Sequence, residues 1–268
     1  MTQTNGKPGA QLIDRVVLIL DLVANARDEG ITLKDFCDLT ELNKATCHRI
    51  LSTLVGHNLL AKVDKGRRYR LGTKMLVYGA KAAKGPGLRS QCQPAMQRLA
   101  QLTGETVVLM ARDQDDSVCI DRLDGECLVQ TLTGAIGGYV PLGVGPGSLA
   151  MLSFLADDER DAIVARNLPR IGTYAGMTEK RVRELIDETS TQGFALDRGE
   201  LLVGVAGVSV PIFAVESGPV ASLGLTFLSA RLTPELLDKY VNLLKEEVGR
   251  IAPNLNPLDR RLTAPGRA

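Results

Sequence analysis

The stretch from Thr32 to Gly72 leaves the chain few ways to fold. Thr32 followed by Asp35 has capping-box spacing and opens a short helix through about Leu39. A brief turn, Thr40-Glu41-Leu42-Asn43, follows, and Asn43 is a good N-cap for a helix over 44–55, which Gly56 and Asn58 end. Leu59–Val63 and Arg68–Leu71 then read as short strands joined by the turn Asp64-Lys65-Gly66-Arg67. Upstream, Ile13, Val16, Val17 and Leu20 recur at helical spacing, giving an amphipathic helix over 12–24 that Gly30 separates from the rest. Helix, helix, turn, helix, hairpin is the order of a winged helix-turn-helix, assigned to residues 1–72.

Within 44–55, Cys47, Ile50, Leu51 and Leu54 share one face and are expected in the core. The opposite face presents Ala45, Thr46, Arg49, Ser52 and Thr53, flanked by Lys44 and His48. Small residues let a backbone approach a major groove closely. Arg reads guanine edges, and Thr, Ser and Lys reach bases or phosphates. The hairpin adds Lys65, Arg67 and Arg68, with Tyr69 beside them, as contacts to phosphate or a minor groove. From Asn43 to Arg70 there are seven Lys/Arg and one acid, Asp64. The plainer alternative is a solvated charged surface, against which stand the element order and the concentration of charge on one helix and hairpin. His57 reads as a helix-end residue.

Net charge is only +1, yet residues 1–85 sum to +6 and residues 86–268 to −5. The basic part suits nucleic acid and the acidic part does not. No apolar run approaches the ~20 residues a membrane span needs. The N-terminus lacks a signal-peptide layout, so the expected location is cytoplasmic. Five cysteines without a C-x-x-C pair suit reduced thiols, and with two histidines in all a metal site is unsupported. No cofactor is expected. The absence of Trp and 4% aromatic content argue against a base-stacking single-strand binder.

Residues 73–84 read as a connecting helix, and Gly85-Pro86-Gly87 closes a linker over 73–87. The second domain, 88–252, reads as a helix (89–103), then strands near 105–111, 117–122 and 126–132. A Gly-rich loop and helices cover 134–190, and strands follow near 194–197, 205–213 and 219–228. A last helix starts at Thr233-Pro234-Glu235 and runs to about 252. The tail, 253–268, is expected to be disordered. This order makes a multidomain α/β chain whose C-terminal domain is an α/β sandwich. Gly143-Val144-Gly145-Pro146-Gly147-Ser148 imitates a phosphate loop, but Leu149 stands where Lys is needed. Gly207-Val208-Ser209-Val210-Pro211 lacks the last Gly of a nucleophile elbow, and no His lies in this domain to activate Ser209. Asp115-Asp116 reads as a solvated turn. An enzyme would have to rest on Cys119 or Cys127, which read better as strand cysteines.

The run Lys44-Ala45-Thr46-Cys47-His48-Arg49-Ile50-Leu51 and the wing exit Tyr69-Arg70-Leu71-Gly72 resemble the DNA-binding domain of IclR-type bacterial transcriptional regulators. The resemblance extends over about residues 12–252, through Gly137-Gly138-Tyr139-Val140-Pro141-Leu142, Gly193-Phe194-Ala195-Leu196-Asp197 and Val205–Phe213. It implies a non-enzymatic regulator with a linker helix and a GAF-like effector domain. Its partners would be double-stranded operator DNA and a small-molecule effector, and it would act as a homodimer or homotetramer. Carried across, the effector contacts fall on Val129, Leu132, Val140, Pro146, Gly147, Ser148, Asp197, Val205, Gly207, Gly224 and Thr226. Ordinary core is the alternative for the apolar members, and Asp197 could equally cap a turn before Arg198-Gly199. The sequence departs from the family's keto-acid sensors: Pro146 removes an N–H donor, and Gly207 and Gly224 replace larger side chains. Fewer polar contacts and more room favour a larger effector, an organic or aromatic acid of a catabolic pathway. A sequence-nonspecific DNA-binding protein is the remaining alternative. The resemblance implies dimerisation through the linker helix, whose Gly79, Ala80, Ala82 and Ala83 side could pack closely on a second copy; the alternative is a solvated linker helix, because Lys74, Lys81 and Lys84 break its apolar surface.

Overall fold

The computed structural model describes residues 8–24, 26, 30–40, 42–82, 87–127, 129–214 and 218–255. They form two compact units, 1–84 and 85–268. The first comprises α1 (Pro8–Ala24), β1 (Ile31–Thr32), α2 (Leu33–Thr40), α3 (Lys44–Gly56), β2 (Leu60–Val63), β3 (Arg68–Leu71) and α4 (Thr73–Ala82). The capping box is formed reciprocally: Asp35 N–H donates to Thr32 Oγ1 at 3.2 Å, and Thr32 N–H donates to Asp35 Oδ2 at 2.9 Å. At the start of α3, Thr46 N–H donates to Asn43 Oδ1 at 2.8 Å. Cys47, Ile50, Leu51 and Leu54 are buried, meeting Ile19, Phe36 and Leu60 in one core.

Two sequence expectations change here. The hairpin is part of a three-stranded sheet, β1-β3-β2, in which Ile31 faces Tyr69. β1 spans two residues, too few to show a period. In α1 the buried row is Ile19 and Val23 with Val16 and Leu20 half-buried, while Ile13 and Val17 are exposed. This helix is apolar on more than one side, so spacing alone does not select the face that packs.

The second unit comprises α5 (Leu88–Thr103), β4 (Thr106–Asp113), β5 (Asp116–Leu123), β6 (Tyr139–Pro141), α6 (Pro146–Leu152), α7 (Asp157–Ile171) and α8 (Glu179–Gln192). β7 (Ala195–Leu202), β8 (Val205–Phe213), β9 (Pro219–Leu228) and α9 (Pro234–Ile251) complete it. The strands form one antiparallel sheet ordered β6-β5-β4-β9-β8-β7. One core joins it to α5 and α9 through Leu99, Leu109, Phe227 and Tyr240; another joins it to α6, α7 and α8 through Val144, Met151, Ile163 and Val182. With helices over both sides, β4 is buried from Thr106 to Met110 and β9 over nearly its whole length. A bulge between Leu109 and Met110 shifts the β4–β5 register, so Cys119 joins the α6–α8 core while Asp121 meets Arg89 of α5 at 3.1 Å.

Where a strand was expected near 126–132, the described residues 126, 127 and 129–132 are irregular chain instead. Arg122 explains this: its guanidinium donates to the carbonyls of Val129 (2.9 Å) and Gly134 (3.3 Å) and to Thr131 Oγ1 (3.0 Å). Those groups bind a side chain rather than a neighbouring strand. Thr233 caps α9 by accepting from Leu236 N–H at 3.2 Å. The expected disordered tail lies, past Leu255, outside the described residues, as do Gly85 and Pro86 of the linker. Among the described residues no helix is long and apolar enough to cross a membrane.

Candidate DNA-reading face and effector cleft

Burial of one face of α3 leaves Lys44, Ala45, His48, Arg49, Ser52 and Thr53 exposed together, with Thr46 half-buried beside its cap. Thr53 Oγ1 donates to the Arg49 carbonyl at 2.9 Å, which fixes its hydroxyl along the helix. Among the described residues, no ion pair engages Lys44, Arg49, Lys65 or Arg67, so these cations are available to an external anion. At the wing, Asp64 and Lys65 take left-handed backbone (φ 48° and 52°), and Gly66 N–H donates to the Val63 carbonyl at 3.0 Å. This turn sets Lys65 and Arg67 at the exposed tip.

Two residues expected at this surface are not there. Tyr69 is 3% exposed, edge-on to Phe36 at 5.9 Å between centroids, and burial pushes its phenol pKa up. Alternation along β3 sends it inward, between half-buried Arg68 and exposed Arg70. Arg68 turns away from the tip and donates from Nη1 to the Gly30 carbonyl at 2.9 Å, tying β3 to the chain before β1.

In the second unit a cleft opens between the start of α6, the 130–133 loop, Asp197 of β7 and the strands β8 and β9. With its open mouth included, it contains about 600 Å³ of empty space. Leu132, Val140, Pro146, Gly147, Ser148, Asp197, Val205, Gly207, Gly224 and Thr226 all line it. Val129 does not: it is buried behind the wall, its carbonyl held by Arg122. Sequence reasoning missed Val108, Met110, Thr131 and Ser209, which also line it. Val108, Met110 and Ser209 sit on strands buried on both faces, where no period marks the cleft side.

Ser148 Oγ donates to the Val144 carbonyl at 2.6 Å and accepts Gly143 N–H at 3.2 Å, shaping the turn into α6. Ser222 Oγ braces the same turn through the Gly147 carbonyl at 2.7 Å. Asp197 is half-buried, and its Oδ1 accepts N–H from Gly199 (3.2 Å) and Glu200 (2.9 Å). Burial raises its pKa, against the lowering effect of those backbone N–H groups. The same carboxylate thus caps a turn and faces the cleft.

The room expected at the two glycines is largely occupied. A Cβ on Gly207 would lie 3.2 Å from Pro146 Cγ, and one on Gly224 would lie 2.8 Å from Ser209 Oγ. Pro146 and Ser209 fill what the missing side chains leave, so lost polarity distinguishes this cleft more than added volume does.

Both units match known proteins. Residues 12–64 match the IclR helix-turn-helix domain, and residues 80–252 match the C-terminal domain of bacterial IclR transcriptional regulators. The transcriptional regulator KipR of Bacillus subtilis is 27% identical over 224 residues, 83% of this chain and 89% of that protein. KdgR of Escherichia coli is 26% identical over 242 residues, 90% of this chain and 91% of its own. Among solved structures, an IclR regulator from Alicyclobacillus acidocaldarius superposes with a TM-score of 0.77 at 22% identity, covering 90% of this chain and 97% of that one. An IclR homologue from Microbacterium hydrocarbonoxydans, complexed with 4-hydroxybenzoate, gives 0.76 at 22% identity, covering 91% and 98%. Such relatives are named as transcriptional regulators or repressors rather than enzymes. With both domain matches in one chain, and the second alone spanning more than half of it, this protein belongs to the IclR family of bacterial transcriptional regulators.

Proposed function

We propose that this regulator is a cytoplasmic repressor that reads double-stranded operator DNA with α3 and grips it with the hairpin tip. Arg49 reads a base edge; Lys44, Ala45, Thr46, His48, Ser52 and Thr53 line the groove; Lys65 and Arg67 meet phosphates. The observation that carries this is the exposed α3 face, whose cations engage no acid among the described residues. Occupancy of the 130–133/α6/β8–β9 cleft by a small organic or aromatic acid of a catabolic pathway modulates operator binding. The 4-hydroxybenzoate held by one structural neighbour supports that ligand size. Switching requires that effector bind the DNA-competent and incompetent arrangements unequally.

The working form is a homodimer or a homotetramer built from dimers. One recognition helix reads too few base pairs for specificity, and paired half-sites remedy that. Exposed Leu12, Ile13 and Val17 on α1, with Leu76 and Tyr78 on α4, offer apolar surface for a second copy. Mobility shift of the DNA upstream of the neighbouring genes, with and without candidate acids, tests the assignment. Equal binding to competitor DNA of any sequence would overturn it.

A further inference from the structure

One wall of the cleft is built from chain that no strand ladder holds. Gln130, Thr131, Leu132 and Thr133 line it in succession, between the end of β5 and the start of β6. Hydrogen bonds within this loop, from Gly134 N–H to the Thr131 carbonyl (2.9 Å) and from Ala135 N–H to the Thr133 carbonyl (2.8 Å), curl it on itself without fastening it elsewhere. Among the described residues, every hydrogen bond that ties 129–132 to the rest of the domain comes from Arg122.

Arg122 itself does not line the cleft. Its side chain is 13% exposed, and all three guanidinium nitrogens are engaged. Nη2 donates to the Val129 carbonyl (2.9 Å), and Nη1 donates to Thr131 Oγ1 (3.0 Å) and the Gly134 carbonyl (3.3 Å). One rigid group thus grips both ends of the lining stretch. Just past β5, Asp124 Oδ1 accepts from Nε at 2.7 Å and fixes the plane of the fork. On its other side the loop meets the turn into α6: a Cβ on Gly145 would come within 2.6 Å of Leu132 Cδ1. A shift of the loop therefore changes both that contact and the width of the cleft beside Pro146.

We infer that Arg122 is a positioning residue for the effector: by fixing where Thr131 and Leu132 stand, it sets ligand affinity without touching the ligand. The inference rests on the reading of the cleft as the effector site. It requires a guanidinium and not merely a positive charge. Lys would keep the charge beside Asp124, but its one nitrogen cannot reproduce contacts made from three separate nitrogens in a plane.

Arg122→Lys in the full chain tests this, by hydrogen exchange and by titration calorimetry with pyruvate, benzoate and 4-hydroxybenzoate. Exchange over 129–135 is expected to rise about fivefold or more while β4 and β9 keep wild-type protection. Whichever of the three acids the wild type binds is expected to bind the variant about tenfold more weakly, from the loss of charge-assisted hydrogen bonds. Wild-type exchange over 129–135 would overturn the inference, as would unchanged ligand affinity in a variant whose loop has loosened. Faster exchange throughout β4 and β9 would mark Arg122 as a general structural residue and overturn it too. If Arg122→Lys does not fold, Asp124→Ala decides: it leaves Arg122 in place but frees its Nε, and a smaller change of about twofold, confined to the same loop and to ligand affinity, is expected. Its absence would overturn the inference. Failure of all three acids to bind the wild type at millimolar concentration would overturn the effector-cleft reading itself, whereas the other results bear on Arg122 alone.

Discussion

Asn43 stands where stability and DNA recognition can be separated. Its side chain accepts Thr46 N–H at 2.8 Å and is the side-chain cap of α3, whose first turn contains no acid. Asn43→Ala removes that acceptor and should cost about 1 kcal/mol of local stability. Asn43→Asp keeps an acceptor and places a negative charge at the positive end of the helix, gaining roughly 0.3–1 kcal/mol. On DNA the same charge is unfavourable. A phosphate at ~7 Å in water costs about 0.6 kcal/mol, so two such phosphates weaken binding by roughly five- to tenfold. Salt should shrink that loss, because the screening length is ~10 Å at 0.1 M. Hydrogen exchange of the α3 amides reads the stability, and anisotropy of labelled operator at low and high salt reads the affinity. Asn43→Asp is thus expected to be as stable as the wild type or more so, yet weaker on operator at low salt. Loss of protection equal to that of Asn43→Ala would refute the cap argument. Unchanged low-salt affinity would show that the start of α3 does not approach the phosphates.

Arg49→Ala should lower operator affinity by about 1–3 kcal/mol and relax sequence preference at one base position, measured by shift assays on operator variants. Lys65→Ala with Arg67→Ala should weaken specific and nonspecific DNA alike and make the dependence of binding on salt shallower. Arg68→Ala should act chiefly on stability, because its guanidinium holds the Gly30 carbonyl rather than the wing tip; a denaturation midpoint unchanged from wild type would contradict this. Tyr240→Phe leaves the ring packed on Phe227 but removes the 2.7 Å bond to buried Glu105, and should cost about 1.5–3 kcal/mol in urea unfolding. Burial, then the Glu105 bond, raises the Tyr240 pKa. Its contribution is therefore complete below the unfolded value of about 10 and is lost as pH climbs from there toward the folded one. Alkaline unfolding should begin earlier in the wild type, relative to its neutral stability, than in Tyr240→Phe.

Local chemistry made much of the first unit legible. Caps act over three or four residues, so Thr32/Asp35, Asn43 and Thr233 announce helix starts that tertiary packing then keeps. Features decided across the fold were not visible in this way. β1 exists because Ile31 finds Tyr69, 38 residues away. The 129–134 segment is loop because Arg122 captures its carbonyls. Tyr69 and Arg68 look like wing residues from their neighbours in sequence, but strand alternation and the Gly30 carbonyl direct them inward. The cleft was approached through motifs around Gly147, Asp197 and Gly207, whereas Val108, Met110 and Ser209 lie on sheet strands buried on both faces, without a pattern of their own.

The pairing of Ser209 with Gly224 across β8 and β9 has a consequence for how such a sensor could diversify. A side chain added at position 224 would meet both the Ser209 hydroxyl, at 2.8 Å, and the Val208 backbone carbonyl, at 2.9 Å. Trimming Ser209 would relieve the first contact and leave the second, because that carbonyl belongs to the backbone of β8. Ligand preference in this cleft would then change through position 209, while position 224 is held to glycine by the strand beside it.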